Sequence, residues 1–137
     1  MIEGLSHITL IVRDLDSMGQ IPEQVLGAKE VYRSGDKQFS LSPERFYLVG
    51  EIWVAVMVGE VLAERTYNHI ASKVPDDALD GYLVRIEALG LDVKPSRSRV
   101  EGEGRSIYFY DHDNHLFELH SGRLDERLAR YAREVAA

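Results

Sequence analysis

GLSHITLIV, residues 4–12, and YNHIASKV, residues 67–74, read as the opening strands of two similar halves of one chain. In the first, alternation puts Leu5, His7, Thr9 and Ile11 on one face and Ser6, Ile8, Leu10 and Val12 on the other, the period of two that a β-strand imposes. Asp14 then suits a helix N-cap, and Gly27 suits a stop signal after Leu26. Gly19 and Pro22 are poor interior helix residues, so this helix is expected to be short or kinked. Strand-like stretches follow at 29–33, at 39–41 with 46–49, and at 52–58.

The second half repeats the order. After its opening strand, Pro75-Asp76-Asp77 starts a helix whose apolar stripe is Leu79, Tyr82, Leu83, Ile86 and Leu89, and Gly90 ends it. Strands are expected at 91–93, 106–110 and 115–120, the last two joined by a turn at 111–114. Leu124, Leu128 and Tyr131 then lie on one side of a closing helix. The expected fold is α+β, with paired βαβββ modules over residues 1–60 and 64–122 and the helix over 123–137, forming a single structural domain overall. His7 and His69 occupy equivalent places, 69 − 7 = 62 residues apart, and self-similarity at a fixed period marks duplicated supersecondary units. Neither module alone covers its sheet, so the two must pack together or pair with a second chain.

Composition narrows the function. The chain has 137 residues, 45% of them hydrophobic, the size of one ordinary domain with enough apolar material for a core. Its net charge of −7 argues against nucleic acid as a partner, because phosphate backbones need a basic face. No apolar run approaches the ~20 residues of a membrane span. Met1-Ile2-Glu3-Gly4 lacks the layout of a signal peptide, so a cytoplasmic location is expected. The absence of cysteine excludes disulfides and protein thiolate chemistry. Lys94, Arg97, Arg99 and Arg105 crowd into KPSRSRVEGEGR, residues 94–105. This basic stretch suits a small anion, and on charge alone it reads equally as a solvated loop.

Two histidines on duplicated strands would project into a shared concave surface from different directions. A third candidate is Glu118 in HLFELH, residues 115–120, where Leu116, Glu118 and His120 share one face. A carboxylate in an apolar strand is costly to bury unless it is paired or binds a metal. Two imidazoles and a carboxylate suit Mn²⁺, Fe²⁺ or Zn²⁺ and leave coordination positions open. Taken singly, each of these residues is more often structural; the matched pair with an acid strengthens the joint reading. His120 is the rival ligand, and His112 and His115, flanking a turn, read as surface residues. DHDNH resembles a calcium loop only at its start, and EGEGRS lacks the spacing of a dinucleotide loop.

GLSHITLIVRDL (4–15), ERTYNHIA (64–71) and RVEGEGRSIYFYDHDNHLFELHSG (99–122) followed by LDERL (124–128) together resemble the fosfomycin-resistance proteins. Within that family they resemble the manganese-dependent epoxide hydrolases of the FosX type. The resemblance covers nearly the whole chain. It implies the vicinal oxygen chelate fold of the glyoxalase superfamily and a homodimer in which modules of both chains build each site. It implies Mn²⁺, other divalent metals being possible, held by His7 of one chain with His69 and Glu118 of the other. It also implies Glu44, in LSPERF (41–46), as the base that activates water; by its own context alone Glu44 reads sooner as an exposed loop acid. Thr9, Tyr108 and Arg127 match positions that contact the anion. Tyr108 also reads as core packing, and Arg127 as a helix-surface partner of Asp125 or Glu126. Tyr67 and Trp53 are candidate pocket walls, and Arg97 or Arg99 a candidate electrostatic contact for the phosphonate.

Departures from relatives sharpen the reading. IWVAVMV, residues 52–58, holds no carboxylate, where glyoxalases supply one, so a four-ligand glyoxalase site is not expected. Extradiol dioxygenases share the two-histidine, one-carboxylate set but are usually longer chains. The loop near Ser98 and Arg99 lacks the lysine tied to potassium in glutathione-dependent relatives, so potassium dependence is not implied. The expected activity is hydrolysis of the fosfomycin epoxide to a diol. The alternatives are thiol transfer to the same epoxide and metal-free sequestration of a drug.

Overall fold

The computed structural model describes residues 1–95 and 103–136. The chain divides into two compact units, Met1–Glu64 with His112–Asn114, and Arg65–Asp111 with His115–Ala137.

In the first unit β1 (His7–Val12) leads into helix α1 (Leu15–Gln20), followed by β2 (Lys29–Arg33), β3 (Glu44–Val49) and β4 (Ile52–Val58). The sheet order is β1-β4-β3-β2, with β1 parallel to β4 and the other pairs antiparallel. Asp14 caps α1 as expected, its carboxylate accepting from the Asp16 N–H at 2.9 Å. After Gln20 the helix widens into a π-helical turn, Ile21–Val25, with Pro22 in its first turn. Proline has no N–H for the regular ladder, which accounts for the expected irregularity, and Gly27 at φ 64° ends the segment. Leu10, Val12, Ile21, Val25, Tyr47 and Val56 form the buried layer.

Register fixes the other face of this sheet. His7 pairs with Trp53, Thr9 with Ala55 and Ile11 with Met57, while Phe46 pairs with Ala55 and Glu44 with Met57. Paired residues project to the same side, so His7, Thr9, Trp53, Phe46 and Glu44 share one face. The expected strand at 39–41 does not form. Phe39 and Leu41 are exposed in a loop that begins with Ser34 and ends at Pro43, and β3 starts at Glu44 instead. Ser34 and Glu44 close that loop: the Ser34 N–H donates to the Glu44 carbonyl at 3.0 Å, and the Glu44 N–H donates to Ser34 Oγ at 2.9 Å.

The second unit repeats the plan with β5 (His69–Lys73), a 3₁₀ turn (Asp76–Ala78), α2 (Leu79–Ala88), β6 (Asp92–Lys94), β7 (Ser106–Tyr110) and β8 (Leu116–His120), then adds α3 (Leu124–Ala136). Its sheet order, β5-β8-β7-β6, reproduces that of the first unit. Leu79, Ile86, Phe109 and Leu119 are buried. Ile86 is wholly so, and Ile86→Ala is expected to cost about 2–5 kcal/mol by lost transfer energy and residual cavity, read from the denaturant midpoint at constant m-value. Asn114, at φ 70°, makes the β7–β8 turn. Here the expectation for His115 is corrected. Its imidazole is mostly buried, Nδ1 lies 2.6 Å from Asp111 Oδ2, and its N–H donates to Asp111 Oδ1 at 2.8 Å. Of the two histidines flanking the turn, His112 is the exposed one.

Candidate active site

The open face of the second sheet is set by the same alternation. His69 pairs with Leu116, and Ala71 with Glu118; Tyr108 pairs with Glu118 and Ser106 with His120. A cavity of about 670 Å³ lies on this face, lined by Tyr67, His69, Lys94, Tyr108, Glu118 and Arg127 among others. Three strands, the segment leading into β5 and the first turn of α3 thus bring five of the expected site residues together.

The chemistry of the donor set follows from hydrogen bonding. His69 Nδ1 lies 2.7 Å from the Tyr67 carbonyl, and a carbonyl only accepts, so Nδ1 carries the proton. The lone pair of Nε2 then points at Glu118 Oε1, 3.1 Å away. Two acceptors at that distance repel unless a proton or a cation lies between them. A metal-binding histidine characteristically donates its other N–H to a backbone carbonyl, as His69 does. Glu118 is only 6% exposed, so its charge needs such a partner. The pair fits a divalent cation. Among the described residues no group of three His, Asp or Glu side chains is placed to hold one, so the second unit contributes two ligand candidates.

Tyr108 stands over this pair, with its ring centroid 5.6 Å from that of His69. Its hydroxyl accepts from Tyr67 at 3.2 Å. Burial, the Tyr67 hydrogen bond and the Glu118 charge push its phenol well above the usual tyrosine range, so Tyr108 stays a neutral donor. Tyr67 itself is 65% exposed, which makes it a rim residue and not core packing. Arg127 Nη2 lies 3.4 Å from His120 Nε2. Asp125 and Glu126 pair with Arg123.

In the first unit, His7 and Thr9 are exposed on β1. His7 stacks on Trp53 with centroids 4.2 Å apart, and its Nδ1 lies 2.9 Å from Ser6 Oγ, which leaves Nε2 available. Trp53 is half-buried, its indole N–H enclosed without a partner. Glu44 departs most from expectation. It is the first residue of β3 and only 7% exposed, with its backbone N–H and carbonyl both bonded to Ser34.

Of the basic stretch, Arg105 is neutralised by Asp76 at 3.1 Å, while Lys94 lines the cavity and pairs with Asp92 at 3.0 Å. Arg97 and Arg99 lie outside the described residues. Sequence reasoning passed over Ser106, whose hydroxyl donates to Glu118 Oε2 at 2.5 Å. The alternation that places Tyr108 and Tyr110 on the site face is the signal that includes it.

A sheet repeated in one order, carrying a histidine on the first strand of each repeat and an acid on the last, defines a class. The chain belongs to the glyoxalase/bleomycin resistance protein/dioxygenase superfamily, whose family model matches residues 4–119. Within it, the chain is 64% identical over 137 residues to fosfomycin resistance protein FosX of Mesorhizobium japonicum, covering 100% of this chain and 99% of the relative. Its fold matches a crystal structure of a variant of the Listeria monocytogenes FosX, complexed with Mn(II) and 1S,2S-dihydroxypropylphosphonic acid. That match has a TM-score of 0.87 and 53% identity, over 96% of this chain and 99% of that one. Metallothiol transferase FosB of Shouchella clausii is 33% identical, over 96% of this chain and 88% of the relative. The chain is thus a FosX-type member of the superfamily, and the expected fold is borne out. Among the described residues no helix is long and apolar enough to cross a membrane.

Proposed function

We propose that this protein is a manganese-dependent hydrolase that opens the epoxide of fosfomycin to a diol and so confers resistance to it. The observation that carries the reading is the pair of facing acceptors, His69 Nε2 and Glu118 Oε1, 3.1 Å apart at the wall of a cavity that also holds a guanidinium and a protonated phenol. The FosX relatives support it, and the dihydroxypropylphosphonic acid bound to one of them is such a diol.

In this reading the protein is a homodimer, and His7 of one protomer joins His69 and Glu118 of its partner as metal ligands. The uncovered apolar side of α3, with Leu124, Leu128 and Tyr131 all exposed, supports a further chain packing there. Bound Mn(II) supplies Lewis-acid stabilisation of the alkoxide that develops as the ring opens. Arg127 binds the phosphonate through its planar fork, with Thr9 and Tyr108 as neutral donors and Arg99 as a loop contact. Tyr67 and Trp53 wall the pocket. Glu44 takes a proton from water as its oxygen attacks an epoxide carbon. The carbon–oxygen bond of the ring breaks, the ring oxygen takes up a proton from solvent, Glu44 returns its proton to solvent, and the phosphonate leaves as a diol.

Mass analysis of fosfomycin incubated with the Mn(II)-loaded protein tests this. The expected product gains the mass of water, whether or not glutathione is added. A product carrying the thiol would assign the chain to the transferases instead. Stoichiometric drug binding without turnover would make it a binding protein.

A further inference from the structure

We infer that Ser106 and His120 are positioning residues that hold Glu118 in its ligating orientation and tie it to Arg127. This rests on the metal reading above. The hydrogen bonds run in one direction. Ser106 Oγ donates its only proton to Glu118 Oε2 at 2.5 Å. His120 Nδ1 lies 2.7 Å from Ser106 Oγ, whose proton is already committed, so Nδ1 must carry a proton and donate. His120 Nε2 then presents a lone pair, and Arg127 Nη2 lies 3.4 Å from it. The order is Arg127 to His120, His120 to Ser106, Ser106 to Glu118. Each step fixes the tautomer or rotor of the next.

The arrangement also settles the rival ligand. Both His120 nitrogens are engaged, so its place on Glu118's face serves the carboxylate and not the cation. Glu118 has its Oε1 directed at His69 and its Oε2 held by Ser106, with the His120 ring 3.3 Å from that second oxygen. One carboxylate oxygen is left for the ion while the other is locked, the division expected of a ligand whose orientation is fixed from behind.

The backbone is built to confine this ring. A Cβ on Gly122 would lie 2.7 Å from His120 Nε2 and would collide with the Glu103 carbonyl. Gly104, at φ 73°, would meet the Gly122 backbone in the same way. The close approach is held by the Arg105 N–H donating to Ser121 Oγ at 2.8 Å and the Ser121 N–H donating to the Arg105 carbonyl at 3.0 Å. The start of β7 and the end of β8, which carry Ser106 and His120, are therefore held together, and a side chain at 122 would crowd the imidazole where it lies.

The test is Mn(II) binding by full-length protein, followed by the electron paramagnetic resonance of free and bound ion, in the parent, Ser106→Ala and Ser106→Thr. Ser106→Ala is expected to weaken Mn(II) affinity about 10–100-fold and to alter the bound-ion spectrum, while its thermal melt without metal stays near the parent's. Ser106→Thr keeps the hydroxyl and is expected to restore both affinity and spectrum. His120→Asn keeps a donor near the Nδ1 position but loses the acceptor for Arg127. It is expected to bind Mn(II) like the parent and to raise KM for fosfomycin more than it lowers kcat. Parent-like affinity and spectrum in Ser106→Ala would overturn the proposal, as would Ser106→Thr binding as weakly as Ser106→Ala. A parent that binds no Mn(II) would overturn the metal reading itself, and this inference with it.

Discussion

Glu44→Gln is expected to slow fosfomycin hydrolysis by roughly 10²–10⁴-fold, the usual contribution of a positioned general base, while Mn(II) affinity stays at the parent's value. The substitution keeps the shape of the side chain and removes its basicity. Glu44 lies on the same sheet face as His7 and Thr9, in the row of Ile11 and Met57, two residues along the strands from Thr9. Its backbone is pinned by Ser34 on both the N–H and the carbonyl, so the amide should occupy the carboxylate's place without moving β3. At 7% exposure a charged carboxylate bears a desolvation penalty. The neutral amide should therefore leave stability unchanged or raise it slightly, an outcome that separates a catalytic acid from a structural one. A thiol ionises without a strong base, so any residual thiol addition should survive the change. The decisive measurement is single-turnover diol formation at saturating Mn(II), beside Mn(II) titration of the same preparation. Hydrolysis at the parent rate would remove Glu44 from the mechanism.

The parts of the site that were legible from sequence are those that duplication makes redundant. His7 and His69 announce each other because the two opening strands align, and the registers carry the alignment further. Ala55 lies beside Thr9 in the first sheet, as Glu118 lies beside Ala71 in the second. The missing first-module carboxylate therefore has an address, Ala55. Helix and strand positions followed from local period and capping chemistry, as Asp14 and Gly27 illustrate. What local pattern could not supply was pairing between distant residues. The backbone of Glu44 is tied to Ser34 ten positions away, and nothing in LSPERF encodes that pairing. Phe39 and Leu41 have strand-like character but no neighbouring strand, and propensity without a partner does not make a strand. His115 is drawn inward by a carboxylate four residues back, across a turn whose geometry only the fold defines. Strand alternation alone sets Ser106 on the face of Tyr108. Its role needs the antiparallel register that sets it opposite His120, a long-range fact.

Glu118→Gln is expected to have the largest effect on metal binding, lowering Mn(II) affinity and Mn(II)-supported turnover on the order of 10³-fold, a loss of several kcal/mol of cation stabilisation. The physical argument lies in the 3.1 Å gap between His69 Nε2 and Glu118 Oε1. His69 Nδ1 is committed to the Tyr67 carbonyl, so the gap faces a lone pair with a carboxylate oxygen and is relieved by a cation. A glutamine can turn its amide N–H toward Nε2 and its carbonyl toward the Ser106 hydroxyl, satisfying every group with no ion present. The metal-free variant should therefore melt no lower than the metal-free parent. The two should diverge when Mn(II) is added. A ligand that binds only the folded state stabilises it by about 2.7 kcal/mol at a hundredfold excess over Kd. The parent should melt higher in Mn(II), and Glu118→Gln should not respond at the same concentration. That pairing of results distinguishes a lost ligand from a damaged fold, since damage lowers the melt with or without metal. An equal Mn(II)-induced shift in both proteins would mean that the cation sits elsewhere, and the acceptor pair of His69 and Glu118 would have to be held together by a proton.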